Sequence, residues 1–283
     1  MSINTVGIVG AGTMGNGIAQ ACAVSGINVV MVDISQQAVD RGLATVDKSL
    51  DRLLSKEKIT EADKAAALGR IKGSTSYDDL KAAQLVIEAA TENHELKNKI
   101  LKQLDDLLPP EVIIATNTSS ISITQLGAVT GRADRFVGMH FFNPVPMMAL
   151  VEIIRGLQTS DATHDAVKAL AERLGKSPIT VKNAPGFVVN RILVPMINEA
   201  FFVLAEGLAT PEDIDAGMKL GCNHPIGPLA LCDLIGLDVE LAVMQVLYEG
   251  TKDPKYRPAP LLVEMVEAGY LGRKTGKGFF TYA

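Results

Sequence analysis

The sequence has few cysteines and no long apolar run. Its three cysteines, Cys22, Cys222 and Cys232, show no C-x-x-C spacing, so we expect buried reduced thiols rather than a disulfide framework or a structural zinc site. No apolar stretch approaches the ~18 residues needed to span a bilayer. The N-terminal sequence MSINTVGIVGAG lacks the basic region and cleavage site of a signal peptide. We therefore expect no membrane partner and a cytoplasmic location.

Excess positive charge and two common kinds of catalytic motif are also missing. The formal net charge is −5, which argues against a general nucleic-acid partner. His94, His164 and His224 show no metal-ligand spacing to one another, so no metal site is predicted. No G-x-S-x-G motif supports a serine hydrolase. With 47% hydrophobic and 21% charged residues, the 283-residue chain is typical of a globular protein.

Short β-branched runs alternate with helical sequence over the first two thirds of the chain. The strand-like runs cover residues 3–9, 27–33, 84–88, 112–116, 135–140, 148–154 and 178–181. This alternation predicts an α/β fold, with a Rossmann-like, mostly parallel sheet covered by helices. Residues 36–69 are longer than a plain crossover between strands needs, and their sequence predicts an insertion of two helices.

After Ala184–Pro185 the sequence shows helical periodicity and no convincing strand. Four helices are predicted, at 187–206, 211–220, 229–249 and 259–268, and Pro195 should kink or break the first of them. The predicted domains are therefore a Rossmann-like domain at residues 1–184, which includes the two-helix insertion, and an all-helical domain at 185–283.

A glycine-rich motif follows the first predicted strand and opens a helix. In G-x-G-x-x-G, the first glycine permits a tight turn, the second lets a pyrophosphate approach the backbone, and the third allows close helix–strand packing. Asp33 ends the second strand about 20 residues further on, where it would bond ribose hydroxyls and repel a 2′-phosphate. This context favours an NAD site over a merely structural turn. The predicted loop contacts are Gly10, Gly12, Thr13, Met14 and Gly15.

Two ionisable residues interrupt the apolar run GMHFFNPVPMMALVEII at 138–154. His140 ends one predicted strand and Glu152 lies in the next. If the two strands are neighbours, the carboxylate would hold one imidazole tautomer and stabilise the protonated ring. A lone histidine is more often structural than catalytic. However, a histidine beside a nicotinamide suits alcohol oxidation, in which the hydroxyl loses a proton while its carbon loses a hydride.

Two further motifs are ambiguous from the residues alone. Lys48, Arg52 and Lys56 recur at i, i+4 spacing on one helix face, which could bind a polyphosphate. The interleaved acidic residues make a solvated helix face the better interpretation of this spacing. Ser119 and Ser120, in NTSSIS after a strand, could bind substrate or only cap the helix that follows.

These linked motifs resemble those of the short-chain L-3-hydroxyacyl-CoA dehydrogenase family, particularly its bacterial 3-hydroxybutyryl-CoA dehydrogenases. The resemblance runs from residue 3 to residue 282. It includes GIVGAGTMGNGIA, ATNTSSISI, DRFVGMHFFNPVPMMALVEII, NAPGFVVNRILVPMINEA, HPIGPLALCDLIGLD and GRKTGKGFF. It implies NAD-dependent interconversion of (S)-3-hydroxybutyryl-CoA and acetoacetyl-CoA, and a homodimer formed through the helical domain.

The resemblance also implies roles for individual residues. His140 would be the general base and Glu152 its orienting partner. Ser119 and Asn190 would hydrogen-bond the substrate and help to place His140. The further cofactor contacts would be Glu92, Lys97, Asn117, Asn143 and Lys274. Contacts to coenzyme A would come from Ser49 and Lys56 of the inserted helices, which reverses the preference for a solvated face there.

Two other functions are compatible with the same fold. One is a related NAD-dependent dehydrogenase of a free hydroxy acid, against which the basic face at 48–56 argues. The other is a catalytically silent NAD-binding protein, against which the complete set of candidate catalytic residues argues.

Overall fold

The computed structural model describes residues 2–282, so Met1 and Ala283, the outermost residues of the two predicted domains, lie outside the described part. The chain divides into two compact units, Met1–Ala184 and Pro185–Ala283. No helix within residues 2–282 combines the length and the apolar character needed to cross a bilayer.

Within the described residues, the first unit contains one eight-stranded sheet. Its strands are β1 (Thr5–Val9), β2 (Asn28–Val32), β3 (Ile71–Ser74), β4 (Leu85–Glu88), β5 (Ile113–Thr116), β6 (Phe136–Phe141), β7 (Leu150–Arg155) and β8 (Ser177–Lys182). Their order is β3-β2-β1-β4-β5-β6-β7-β8, and all neighbours are parallel except β6 and β7. The predicted Rossmann-like, mostly parallel sheet is confirmed.

Strand β3 is absent from the sequence prediction. Its residues read IKGS, and lysine and glycine are depleted in strands, so the run carries little strand signal. It pairs only with β2, at the edge of the sheet. A Cβ added at Gly73 would lie 2.4 Å from Cγ1 of Val39, so a glycine here lets a helix pack closely on the strand.

The helices of the first unit flank this sheet. They are α1 (Thr13–Val24), α2 (Gln36–Leu54), α3 (Glu61–Gly69), α4 (His94–Leu107), α5 (Ile123–Gly127) and α6 (Asp161–Arg173). Helices α2 and α3 form the insertion predicted at 36–69. Thr60 and Asp63 make a capping box at the start of α3. Lys64 of α3 then pairs with Asp47, at 2.8 Å, and with Asp51, which ties α3 to α2.

Within residues 185–282, the second unit contains five α-helices where four were predicted. They are α7 (Val189–Ala205), α8 (Pro211–Gly221), α9 (Pro228–Ile235), α10 (Leu237–Thr251) and α11 (Pro260–Glu267). The prediction of one helix at 229–249 is wrong because Gly236 adopts a φ of +109°, which a right-handed helix does not allow. Helix α7 continues through Pro195, so the break considered there does not occur.

The cysteines differ in their surroundings. Cys22 and Cys232 are buried, and burial raises the pKa of the Cys22 thiol to about 12. Cys222 is exposed, so the prediction of buried thiols is wrong for this residue. The reason is local, because Cys222 is the C-cap residue of α8 and does not lie on a packed helix face.

Glu240, in the first turn of α10, is a buried carboxyl group. It is 1% exposed, and neither of its oxygens has a hydrogen-bond partner within residues 2–282. Removal from water raises the pKa of the Glu240 carboxyl well above its usual value. Because a neutral acid is less costly to bury than a carboxylate, Glu240 retains its proton in the folded protein at a pH where an exposed glutamate has lost it.

We expect Glu240→Gln to weaken the pH dependence of the free energy of unfolding. The unfolded chain releases this proton near the ordinary value of 4.5, whereas the folded chain holds it to higher pH. The stability of the wild type should therefore be full below that value and fall as pH rises toward the raised folded pKa. Urea unfolding from about pH 5 to about pH 8 should show the variant gaining on the wild type, and a constant difference would contradict this expectation.

Candidate active site

The glycine loop joins β1 to α1 at the carboxyl edge of the sheet. Gly10 has a φ of +102°, and a Cβ added there would lie 2.7 Å from the backbone oxygen of Ala89. At Gly15 an added Cβ would lie 1.8 Å from the Gly10 oxygen. At Gly12 it would meet nothing within 4 Å, so this residue faces open space at the start of α1. The loop thus fits a pyrophosphate that approaches the backbone and the helix N-terminus.

Asp33 follows β2 beside this loop and is held by two backbone groups. Its Oδ2 accepts from the N–H of Ala11 and its Oδ1 from the N–H of Ile34, both at 2.7 Å. The carboxylate keeps further lone pairs that ribose hydroxyls could use. Two cavities of about 520 and 330 Å³ share Asp33 and Ile34. The smaller cavity is lined by Tyr77, Leu96 and Ile100 as well, and these side chains suit a flat apolar ring such as adenine.

His140 and Glu152 meet across β6 and β7. They are directly opposite in the antiparallel ladder, so their side chains lie on the same face of the sheet. His140 Nδ1 lies 2.8 Å from Glu152 Oε2, and the two residues are 6% and 0% exposed. If Nδ1–H donates to the carboxylate, the neutral ring carries its lone pair on Nε2.

The position of His140 follows from the sheet topology. Strand β6 is parallel to β5, and His140 is close to the carboxyl end of β6. It therefore lies at the sheet edge at which β1, β4 and β5 also end. In an open α/β sheet, ligands bind outside this edge. The arrangement places an imidazole at the same edge as the glycine loop.

Ser119 lies in the loop after β5 and is bonded to Glu92. Its N–H and its hydroxyl donate to Glu92 Oε1, at 2.6 and 2.9 Å, and the Thr118 hydroxyl donates to Oε2 at 2.8 Å. Glu92 thereby anchors the loop that carries Ser119. The predicted contact of Glu92 with the cofactor stays a prediction.

Lys97 of α4 forms a buried ion pair with Glu88, the last residue of β4. The two residues are 1% and 0% exposed. The Lys97 ammonium also donates to the Thr116 hydroxyl at 3.3 Å, and that hydroxyl donates to Glu88 at 2.8 Å. Glu88 Oε1 accepts from the N–H of Ala90 at 2.9 Å, so the cluster holds the start of the loop between β4 and α4. The predicted cofactor contact of Lys97 stays a prediction.

Glu88 and Thr116 are not among the site residues that the sequence predicted. Glu88 ends the apolar run LVIE, and a charge in such a run needs a partner. The same signal drew attention to His140. A charged residue in an apolar run therefore also marks Glu88. It does not identify the partner, Lys97, which lies on a different element.

The two candidate asparagines of the first unit lie near His140 in the chain or in the sheet. Asn117 directly follows β5, and its Oδ1 accepts from the N–H of Phe141 at 2.9 Å. This bond ties the end of β5 to the residue after His140. Asn143 lies just beyond β6 and is exposed. Neither position tests the predicted contacts with the cofactor.

Two candidate residues belong to the second unit. Asn190 lies in the first turn of α7. Lys274 lies in a short 3-10 turn after α11, and its ammonium pairs with the Asp238 carboxylate. The substrate contact of Asn190 and the cofactor contact of Lys274 stay predictions.

The inserted helices carry the candidate coenzyme A contacts. Ser49 lies in α2, and Lys56 follows that helix on the surface. Within residues 2–282, the cationic groups of Lys48, Arg52 and Lys56 make no ion pair, because the two aspartates interleaved with them pair with Lys64 of α3. The three cationic groups of this face are therefore available to an anionic ligand.

The fold and the nucleotide-binding edge of the sheet define the class, a Rossmann-like NAD-dependent oxidoreductase. Models of known families identify the group within that class. The model for the NAD binding domain of 3-hydroxyacyl-CoA dehydrogenase matches residues 5–184, and the model for its C-terminal domain matches residues 186–282. The chain belongs to the 3-hydroxyacyl-CoA dehydrogenase family. The predictions of this family and of NAD as the cofactor are confirmed.

Relatives match over nearly the whole chain. A 3-hydroxybutyryl-CoA dehydrogenase from Bradyrhizobium diazoefficiens is 54% identical over 280 residues, which cover 99% of this chain and 96% of the relative. The mitochondrial hydroxyacyl-coenzyme A dehydrogenase of Rattus norvegicus is 41% identical over 288 residues, with coverages of 99% and 91%. The crystal structure of an (S)-3-hydroxybutyryl-CoA dehydrogenase from Ralstonia eutropha is 76% identical, with a TM-score of 0.98 and full coverage of both chains.

Proposed function

We propose that this enzyme interconverts (S)-3-hydroxybutyryl-CoA and acetoacetyl-CoA with NAD as the hydride carrier. The observation that carries the proposal is the buried pair of His140 and Glu152 at the same sheet edge as the glycine loop. The choice of a four-carbon thioester is supported by the Ralstonia relative, which is 76% identical and bears the name of that activity.

His140 is the general base of the proposed reaction. NAD, when bound, accepts the hydride that leaves C3 of the substrate. His140 Nε2 takes the proton of the C3 hydroxyl as that hydride departs, so the alcohol becomes a ketone without a free alkoxide. In the reductive direction the same nitrogen returns the proton to the carbonyl oxygen.

The other candidate residues orient these partners. Glu152 holds the His140 ring through Nδ1 and balances the charge of the imidazolium. Ser119 and Asn190 hydrogen-bond the substrate oxygen and help to place His140. Asp33 binds the adenosine ribose. The remaining proposed cofactor contacts are Gly10, Gly12, Thr13, Met14, Gly15, Glu92, Lys97, Asn117, Asn143 and Lys274.

The inserted helices bind the nucleotide part of coenzyme A. Ser49 and Lys56 are the proposed contacts, and the unpaired cationic groups on this face support them. Lysine ammonium groups form charge-assisted hydrogen bonds with phosphate oxygens. A free hydroxy acid would leave this basic face without a function.

Lys56→Ala should raise KM for acetoacetyl-CoA on the order of tenfold, and the effect should shrink with added salt. The KM for NADH should change little, because Lys56 follows α2 at the end far from the glycine loop. A truncated thioester that lacks the nucleotide should show almost no effect. Lys168→Ala, which removes an exposed cation from α6, is the matched control. Equal losses on the full and the truncated thioester would contradict a phosphate contact.

An NADH absorbance assay tests the proposed reaction. Acetoacetyl-CoA should be reduced efficiently, and acetoacetate, the corresponding free acid, should be a poor substrate. Comparable rates with the free acid would instead indicate a hydroxy-acid dehydrogenase. No turnover of either compound by folded, NADH-binding protein would overturn the proposal in favour of a silent NAD-binding protein.

We also propose that the enzyme is a cytoplasmic homodimer joined through its second unit. Large apolar side chains on three helices of that unit are exposed, with Ile192 at 68%, Leu234 at 54% and Val239 at 44%. Association would remove this apolar surface from water. Light scattering after size-exclusion chromatography should give twice the 30.1 kDa mass of the chain.

A further inference from the structure

Arg41, on α2, lines the same cavity as Asp33. This is the cavity of about 520 Å³ that also includes Gly12 and Thr13 at the start of α1. Arg41 is exposed, and its guanidinium makes no hydrogen bond or ion pair with any residue in 2–282. Arg41 is not among the site residues predicted from the sequence. It lies seven residues before Lys48 and outside the i, i+4 series of the basic face.

Close packing of α2 on the glycine loop explains this position. A Cβ added at Gly42 would lie 2.8 Å from the backbone oxygen of Ala11, so the helix backbone approaches the loop directly. Arg41 precedes this contact. Ala38 and Thr45, three residues before and four after Arg41, line the cavity with it. One face of α2 therefore forms a wall of the nucleotide cavity, and Arg41 supplies its positive charge.

Asp33 and Arg41 have opposite effects on a phosphate in this cavity. The Asp33 carboxylate is held in place by the N–H groups of Ala11 and Ile34, so it cannot easily turn away. It can accept from the ribose hydroxyls of NAD, and it repels the 2′-phosphate of NADP. An arginine in the same cavity would instead attract the 2′-phosphate of NADP, because its planar guanidinium matches phosphate oxygens.

We propose that Arg41 is a specificity-determining residue that binds the 2′-phosphate of NADP(H), so that Asp33 and Arg41 together set the cofactor preference. Asp33 is the dominant member because it contacts the ribose itself. Removal of the Asp33 charge should expose a latent phosphate site. The inference rests on the proposed placement of the adenosine ribose at Asp33.

A double-mutant cycle tests the proposal. Asp33→Ala, Arg41→Ala and the double variant are compared with the wild type in kcat/KM for NADPH and for NADH, with acetoacetyl-CoA as the other substrate. Asp33→Ala should raise kcat/KM for NADPH on the order of tenfold or more over the wild type. The double variant should have a kcat/KM for NADPH on the order of tenfold lower than that of Asp33→Ala alone. The coupling between the two sites should be far smaller with NADH.

Calorimetry on the cofactor-free protein supplies a readout that does not depend on turnover. Arg41→Ala should weaken binding of 2′,5′-ADP on the order of tenfold and should weaken binding of 5′-AMP, which lacks the 2′-phosphate, much less. Arg41→Lys retains the charge without the planar fork and should be intermediate. If Asp33→Ala disturbs the loop, Asp33→Asn removes the charge but keeps an oxygen acceptor for the backbone. Lys168→Ala again controls for the loss of a remote cation.

Two outcomes would overturn the proposal. Equal losses of NADH and NADPH would show that Arg41 serves the shared pyrophosphate or the fold. A rise in KM for acetoacetyl-CoA alone, absent with the truncated thioester, would assign Arg41 to coenzyme A. Failure of the proposed function would be distinguishable from both outcomes. In that case the wild type would not reduce acetoacetyl-CoA, but calorimetry would still measure the effect of Arg41→Ala on the affinity for 2′,5′-ADP.

Discussion

His140→Ala should lower kcat for acetoacetyl-CoA reduction on the order of 10²–10⁴. The substitution removes the only group that the proposed mechanism uses to exchange a proton with the C3 oxygen. Binding of NADH should persist, because the glycine loop and Asp33 are untouched. Stopped-flow or steady-state absorbance gives kcat, and NADH fluorescence gives the cofactor affinity.

Glu152→Gln is the companion variant for this result. Glutamine keeps the shape of the side chain but loses the charge beside the ring, so kcat should fall without disappearing. Near-full turnover of a folded His140→Ala protein would exclude the mechanism proposed here.

Lys97→Met should destabilise the first unit by about 3–5 kcal/mol, the usual cost of leaving one partner of a buried ion pair unpaired. Lys97 and Glu88 are 1% and 0% exposed, so water cannot replace the lost ammonium. The carboxylate would also keep only the Thr116 hydroxyl and the backbone N–H of Ala90 as donors. Urea unfolding with a probe in the first unit measures the loss.

The double variant Lys97→Met/Glu88→Leu is the control for this prediction. Removal of both charges leaves no unpaired ion, so the double variant should be more stable than Lys97→Met alone. A similar loss in both proteins would indicate a packing defect instead. A single variant within about 1 kcal/mol of the wild type would show that the pair behaves like an exposed one.

The loop between β4 and α4 connects this stability to function. Its first residues are held by Glu88, and Glu92 within it accepts from both polar groups of Ser119. Loss of the Lys97 ammonium should therefore disturb Ser119 as well as the fold. The family resemblance implied cofactor contacts for Glu92 and Lys97, and these stay predictions. The hydrogen bonds connect both residues to the loop that carries Ser119, the proposed substrate contact.

Local patterns in the sequence determined much of the architecture and of the nucleotide site. The alternation of β-branched runs with helical sequence predicted the Rossmann-like sheet, and the glycine motif with Asp33 predicted NAD. Both signals are contained within short windows, because side-chain period and backbone freedom are local properties. Gly236 was not recognised as a helix break, since glycine inside a helical pattern is often tolerated.

Which charged groups meet depends on how segments that are distant in the sequence pack against one another. Glu88 of β4 pairs with Lys97 of α4. Lys64 of α3 pairs with two aspartates of α2, although their spacing in the sequence suggested that they neutralise the basic face of that helix. Arg41 shares a cavity with Asp33 because α2 packs on the glycine loop through Gly42. These pairings depend on the packing of elements distant in sequence, and no periodicity within one segment encodes the distance between two side chains on different segments.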